Sequence, residues 1–129
     1  MIEDLLSIKL YLCLLSHNKL FKIMFMYFIM VLKGVIIEES LSDKSVLKDV
    51  SIVKTESENV TPKHRTPWLS KWTCHKVEIP DEKTDEVCLK LQKALDKTHE
   101  WYIELKNRRY EITIFSDNII KKRLPLFSD

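Results

Sequence analysis

The sequence predicts a small α+β domain, in which a mainly antiparallel sheet is covered on one face by a single main helix. Short segments rich in β-branched and aromatic residues follow one another directly along the chain, which favours antiparallel pairing. One segment shows an apolar stripe at the spacing i, i+1, i+4, i+7 and i+8, which suits a helix that covers a sheet. The residues of this stripe are Val87, Cys88, Leu91, Ala94 and Leu95.

Three strands are predicted before the helix, at residues 31–40, 49–56 and 71–79. Residues 41–48 form a turn or a short helix, with Ser42 or Asp43 as its cap. Residues 57–70 contain two prolines and are predicted to be a loop.

The helix is predicted to begin after Pro80, and Asp81 can cap its N-terminus. Further strands are predicted after the helix. Residues 101–105 and 110–115 both alternate between apolar and polar side chains, and a turn at residues 107–108 separates them. A last short strand is predicted at residues 119–120. This order of elements fits a ferredoxin-like variant, and it fits a simple meander with one crossing helix equally well.

The domain is predicted to span residues 30–122, between an apolar N-terminal segment at 1–29 and a frayed tail at 123–129. Two apolar blocks occur in this part of the chain, at residues 10–15 and 23–32. Neither reaches the roughly 20 residues that a bilayer span needs. Three interpretations stay open: a membrane-associating helix, a helix packed on the domain, or a segment outside the evolved domain. We favour the last, because all four methionines precede the first convincing strand, and the natural start would be Met30, or Met24 or Met26.

Composition excludes several classes of function. Gly34 is the single glycine, so the glycine-rich loops of P-loop and Rossmann proteins cannot be built. The net charge of +2 is too small to indicate a polyanion partner by itself. Three cysteines without C-x-x-C spacing favour neither a disulfide framework nor a zinc site, and indicate the cytoplasm.

No catalytic or metal site is predicted, and no cofactor. Cys74 and His75 are adjacent in a strand, so their side chains point to opposite faces and cannot form a nucleophile–base pair. We expect His75 to be partly buried and Cys88 to fill the core. The histidines lack metal-ligand spacing. The pairs at 38–39 and 85–86 are interpreted as solvent-exposed carboxylates.

Residues 59–77 form the most unusual segment, because it is basic and aromatic and contains no acidic residue. Cations bind phosphates and exposed aromatic rings stack on unpaired bases, so the segment predicts a surface for an anionic ligand or single-stranded nucleic acid. The residues predicted to bind are Lys63, Arg65, Trp68, Lys71 and Trp72. Core or rim packing of the same tryptophans is the alternative, and Trp101 is predicted to lie in the core.

Several of these positions together resemble a family of short uncharacterised prokaryotic proteins. The positions are His64-x-Thr66-Pro67-Trp68, Trp72-x-x-His75-x-Val77-Glu78-Ile79, Trp101-Tyr102, Lys106-Asn107 and Ile112-x-Ile114-Phe115. The likeness covers about residues 31–120. It implies one compact domain that begins near Met30 and a C-terminus that departs from the family pattern, and it implies no activity or ligand.

The predicted function is therefore a small non-catalytic binding module. A protein-interaction or oligomerisation role, with the same tryptophans as anchors, is the alternative. Salt separates the two, because phosphate binding weakens steeply with salt and an aromatic protein interface does not. A membrane-tethered domain is a third hypothesis, and it depends wholly on residues 1–32.

Overall fold

A computed structural model describes residues 19–125, which contain six strands and two α-helices. The helices are α1, Lys19–Met30, and α2, Thr84–Ala94. The strands are β1 Leu32–Ile37, β2 Ser51–Asn59, β3 Lys71–Ile79, β4 Tyr102–Lys106, β5 Tyr110–Phe115 and β6 Ile119–Arg123. The predicted α+β fold is confirmed.

The strands form one antiparallel sheet in the order β2-β3-β1-β4-β5-β6. Because β1 pairs antiparallel with both β3 and β4, these two strands run parallel to each other, and α2 connects them by crossing over the sheet. The predicted meander applies to β4, β5 and β6, whereas β2 and β3 form a separate hairpin on the other side of β1.

The hydrophobic core lies between α2 and one face of the sheet. All five residues of the predicted helical stripe are buried, and Leu91 is fully inaccessible to solvent. The core-facing strand residues alternate as expected for a half-covered sheet. They are Leu32, Ile36, Val77, Ile79, Ile103, Leu105, Ile112 and Ile114.

The element boundaries differ from the predicted ones at several places. β1 ends at Ile37 and not at residue 40, because Glu38–Ser40 form a 3₁₀ helix. Asp81 does not cap α2, because residues Asp81–Lys83 form a 3₁₀ turn that precedes it. β2 continues to Asn59, three residues beyond the predicted strand, because its backbone pairs with β3 along that whole length. β6 extends beyond the predicted strand at residues 119–120 and includes Arg123, which was predicted to lie in the frayed tail and pairs with Tyr110. By contrast, Asp43 caps the 3₁₀ helix Lys44–Asp49, as predicted.

The N-terminal predictions fall partly outside the described residues, since residues 1–18 are not among them. Among residues 19–125, neither α-helix combines the length and the hydrophobicity of a membrane-spanning segment. The end of α1 is joined to the sheet by the Asn107 amide, whose Nδ2 donates to the carbonyl of Met30 at 2.9 Å. The limits of the domain at residues 30 and 122 stay predictions.

Candidate ligand-binding groove

A groove of about 1090 Å³ opens on the sheet face opposite α2. Three parts of the chain meet there. The strands contribute Val35, Ile37, Trp72, Tyr102 and Glu104. The connection between β2 and β3 contributes Lys63, His64, Arg65, Thr66 and Trp68. The connection between α2 and β4 contributes His99, Glu100 and Trp101.

Local hydrogen bonds shape the β2–β3 connection. Val60 N–H donates to the Ser70 carbonyl at 3.0 Å and closes the loop at its base. Thr61 caps the 3₁₀ helix Pro62–His64, and its backbone N–H donates to His64 Nδ1 at 2.9 Å. Since Nδ1 accepts, the proton of the neutral ring lies on Nε2, which donates to Glu58 at 2.7 Å. The imidazole therefore holds the loop against β2.

Arg65 ends this 3₁₀ helix in the left-handed conformation, with φ 58° and ψ 27°. It is the one non-glycine residue with positive φ among residues 19–125. This conformation costs a residue with a Cβ about 1 kcal/mol, and here it reverses the chain beside the groove.

Five rings form a continuous aromatic cluster along the groove. Trp68 stacks on His99 with centroids 3.8 Å apart and planes 13° from parallel. Trp101 contacts both Trp68, at 6.5 Å, and Trp72, at 5.8 Å. His64 completes the series: its ring is 4.4 Å from that of Trp72, with the two planes nearly perpendicular. Such contacts give about 0.5–1.5 kcal/mol each beyond area burial, so they fix the relative positions of the two connections.

The indole nitrogens of the cluster differ in their environments. Trp72 Nε1 donates to the hydroxyl of the buried Thr66 at 3.0 Å. Trp101 Nε1 is buried and has no hydrogen-bond partner among the described residues. Trp101 therefore packs against the core, as predicted, but it also lines the groove.

Asp96 anchors the second connection. Its carboxylate accepts from His99 Nδ1 at 2.9 Å and from both the backbone N–H and the hydroxyl of Thr98. The His99 hydrogen bond, followed by those from Thr98, lowers the pKa of Asp96 from 3.8 to about 2. These bonds orient the His99 ring on which Trp68 stacks.

We expect the Asp96 carboxyl to titrate near pH 2 in carboxyl carbon NMR of the folded chain. Because the pKa in the folded state is the lower one, Asp96 stabilises the fold above about pH 4 and this contribution is lost as the pH falls through about 2. His99→Phe keeps a ring for Trp68 but removes the donor, so the midpoint should rise toward 3.8. A midpoint that does not differ between the two proteins would contradict the assignment.

Four of the five residues predicted to bind lie in the groove, namely Lys63, Arg65, Trp68 and Trp72. Lys71 does not line it: this residue is the exposed first residue of β3 and pairs with Asn59. The tryptophans occupy both predicted environments. Trp68 is 49% exposed, whereas Trp72 is half-buried by its ring and hydroxyl contacts.

Sequence reasoning missed the strand residues of the groove and its acidic side. Val35 and Ile37 are apolar although they alternate with Ile36 of the core, so β1 is apolar on both faces. That pattern is a readable signal for a second covered or ligand-facing surface. Tyr102 and Glu104 likewise alternate with buried Ile103 and Leu105.

Charge in the groove is separated by segment. Both cations, Lys63 and Arg65, belong to the β2–β3 connection. Both carboxylates, Glu100 and Glu104, belong to the opposite connection and to β4. The two positive and two negative charges cancel, so the groove has no net charge from these side chains. It would orient a ligand with one anionic end but would not attract a long polyanion.

Cys74 and Cys88, the two cysteines within residues 19–125, do not form a nucleophilic site. Cys74 and His75 point to opposite faces, as predicted, since they pair with Ile37 and Ile36 respectively. Burial, followed by nearby carboxylates, raises the pKa of Cys74, and burial raises the pKa of Cys88 to about 11. Both are protonated at neutral pH and are poor nucleophiles.

His75 is buried as predicted, and it shows that residues 38–39 are not simply solvent-exposed. The hydroxyl of Thr55 contacts His75 Nδ1 at 2.8 Å, and Nε2 donates to Glu38 at 3.1 Å. Glu39 accepts from the backbone N–H and the hydroxyl of Thr73. Burial would raise the pKa of Glu39, but the bonds from Thr73 outweigh it and the pKa is lowered. Both carboxylates fasten the end of β1 to β3.

Within residues 19–125, no three His, Cys, Asp or Glu side chains converge on a position that could hold a metal ion. Comparison of the chain with protein-family models, curated proteins and solved structures gives no match. The resemblance to short prokaryotic proteins therefore stays a prediction.

Proposed function

We propose that this domain is a non-catalytic binding module whose groove takes an anionic ligand with a planar ring, single-stranded nucleic acid being the class that fits best. The observation that carries the proposal is the meeting of two half-exposed rings with two cations in one groove. Trp68 and Tyr102 are 49% and 55% exposed, and Lys63 and Arg65 line the same space. A base can stack on such rings while its phosphate contacts the cations.

The electrostatic part of binding should be small. Two phosphate contacts predict a slope of about −1.4 for log K against log salt with a single strand, so binding should weaken about sevenfold between 50 and 200 mM salt. A surface that used a long basic tract would lose far more affinity over the same range. The measured slope therefore reports how many cations take part.

The test is a titration of the full chain with short single-stranded RNA and DNA. Binding is monitored by tryptophan fluorescence and by the fluorescence anisotropy of a labelled strand. Saturable quenching with the shallow salt dependence is the expected result. No saturable change at about 100 µM protein, the weak end of non-specific nucleic-acid binding, would reject the proposal. Binding that does not respond to salt would instead favour the protein-interaction role.

Three variants separate the groove from the surface around it. Trp68→Ala should weaken binding at least fivefold, because stacking of one base contributes about 1–3 kcal/mol. Arg65→Gly removes one cation and relaxes the left-handed residue, so it should reduce affinity and flatten the salt slope without destabilising the fold. Lys71→Ala is the matched control: it also removes a cation from the basic segment, but from outside the groove, and should leave affinity unchanged.

A cytoplasmic location belongs to the same proposal. Cys74 and Cys88 are both free thiols, which suits a reducing compartment.

A further inference from the structure

β2 is an edge strand with an unusually open outer side. It pairs with β3 only, within residues 19–125, and all nine of its residues are exposed. Two of them, Ile52 and Val53, are apolar. The register with β3 shifts between Ile52 and Lys54, and the pairing is regular from Lys54 to Asn59. In this regular part, every second residue presents its backbone N–H and C=O outward, so it can accept another strand.

Two residues of β2 on one face of the sheet carry opposite charges. Lys54 and Glu56 both lie on the groove face of the sheet, since they pair with Lys76 and Cys74 of β3. Lys54 Nζ and Glu56 Oε1 are 2.6 Å apart, and more than half of each side chain is exposed. The pair straddles Thr55, whose hydroxyl contacts buried His75 and fixes the middle of the strand.

We propose that β2 pairs antiparallel with β2 of a second copy of this chain, around a two-fold axis at Thr55. In this register, Lys54 of each copy lies opposite Glu56 of the other copy, and the two unlike pairs form side by side. Both pairs lie on the groove face, and opposite charges at directly opposed positions stabilise antiparallel strands.

Geometry and charge together select this register. A two-fold axis perpendicular to the sheet keeps each residue on its own face of the sheet, and directly opposed residues of paired strands share a face. The axis must therefore lie midway between the two copies of one residue, which is then opposed to itself. An axis at Lys54 would oppose two lysines. An axis at Glu56 or Glu58 would oppose two identical carboxylates, and one at Ser57 would oppose Glu56 and Glu58. Within residues 54–58, Thr55 is the one centre that opposes unlike charges without like ones.

The opposite edge of the sheet is unsuited to the same pairing. β6 ends in Lys121, Lys122 and Arg123, all exposed, so two copies of β6 would bring cations together. β2 pairing joins two copies into one continuous sheet, with both grooves on the same face. This inference does not depend on what the groove binds.

Sedimentation of the full chain over a range of concentrations tests the proposal. The wild-type chain should show a monomer–dimer equilibrium. Lys54→Glu and Glu56→Lys, each alone, should weaken self-association at least tenfold, because like charges then face each other twice. An equimolar mixture of these two variants should recover the dimer, since each chain then presents the charges that the other needs. The double variant Lys54→Glu/Glu56→Lys should also dimerise by itself.

The mixture separates the proposal from a defect in folding, because both chains in it still carry the change that prevents self-association. Lys122→Glu on β6 is the control and should leave the dimer intact. A wild-type chain that stays monomeric up to about 1 mM would overturn the proposal. Single variants that dimerise like wild type, or a mixture that does not recover the dimer, would overturn the register.

Discussion

Gly34→Ala is expected to lower the free energy of unfolding by about 3 kcal/mol. A Cβ at this position would clash with the backbone carbonyl oxygen of Glu104, and it would lie 2.8 Å from Leu105 Cδ2. β1 and β4 would have to separate to admit the methyl group. Alanine also restricts the unfolded chain, but that gain is only about 0.4–1 kcal/mol. Urea unfolding, monitored by circular dichroism, measures the difference.

The same substitution made in a Leu105→Ala chain identifies the atom responsible. Because the nearest neighbour is a backbone oxygen and not a side chain, most of the destabilisation should persist there. A cost that disappears in this background would place the conflict at the leucine. Val35 and Tyr102 lie in the same two strands and line the groove, so we also expect Gly34→Ala to weaken ligand binding.

Leu91→Ala should lower the free energy of unfolding by about 3–4 kcal/mol. Leu91 is fully buried in the middle of the α2 stripe, so its truncation leaves a cavity between the helix and the sheet. Alanine is a better helix former than leucine, but by too little to offset the cavity. Thermal and urea unfolding both measure this effect.

Leu89→Ala supplies a matched control from the same helix. Leu89 is 54% exposed, and its truncation removes the same atoms with the same change in helix propensity. We expect a change within about 0.5 kcal/mol. Equal effects at the two positions would contradict the orientation of α2 on the sheet.

Much of the fold could be predicted because its signals are local. β3 and β5 have the predicted bounds at residues 71–79 and 110–115, and all five apolar residues of the α2 stripe are buried. Periods of 2 and 3.6 residues depend on side-chain direction within one element, so the sequence carries them directly. The errors at residues 38–40, at Asn59 and at residues 121–123 concern ends of strands, where the pairing partner decides how far a strand runs. The error at Asp81 concerns the start of α2, which a 3₁₀ helix precedes.

The groove was predictable only in part, for a related reason. The basic and aromatic residues of the β2–β3 connection stand together in the sequence, so their composition alone pointed to Lys63, Arg65, Trp68 and Trp72. Their neighbours across the groove come from distant positions. Composition could not show that Lys71 lies outside the groove, because its direction depends on its pairing in β3.

The sequence by itself determined which segments are strands, which residues of α2 face the core, and that Cys74 and His75 point apart. Only the tertiary structure decided that β1 lies between β3 and β4, that Trp68 stacks on His99, and that Glu38 reaches His75. The first group depends on neighbours a few residues away, whose geometry the backbone dictates. The second depends on which distant segments meet when the whole core is buried, and no local period of the sequence encodes that choice.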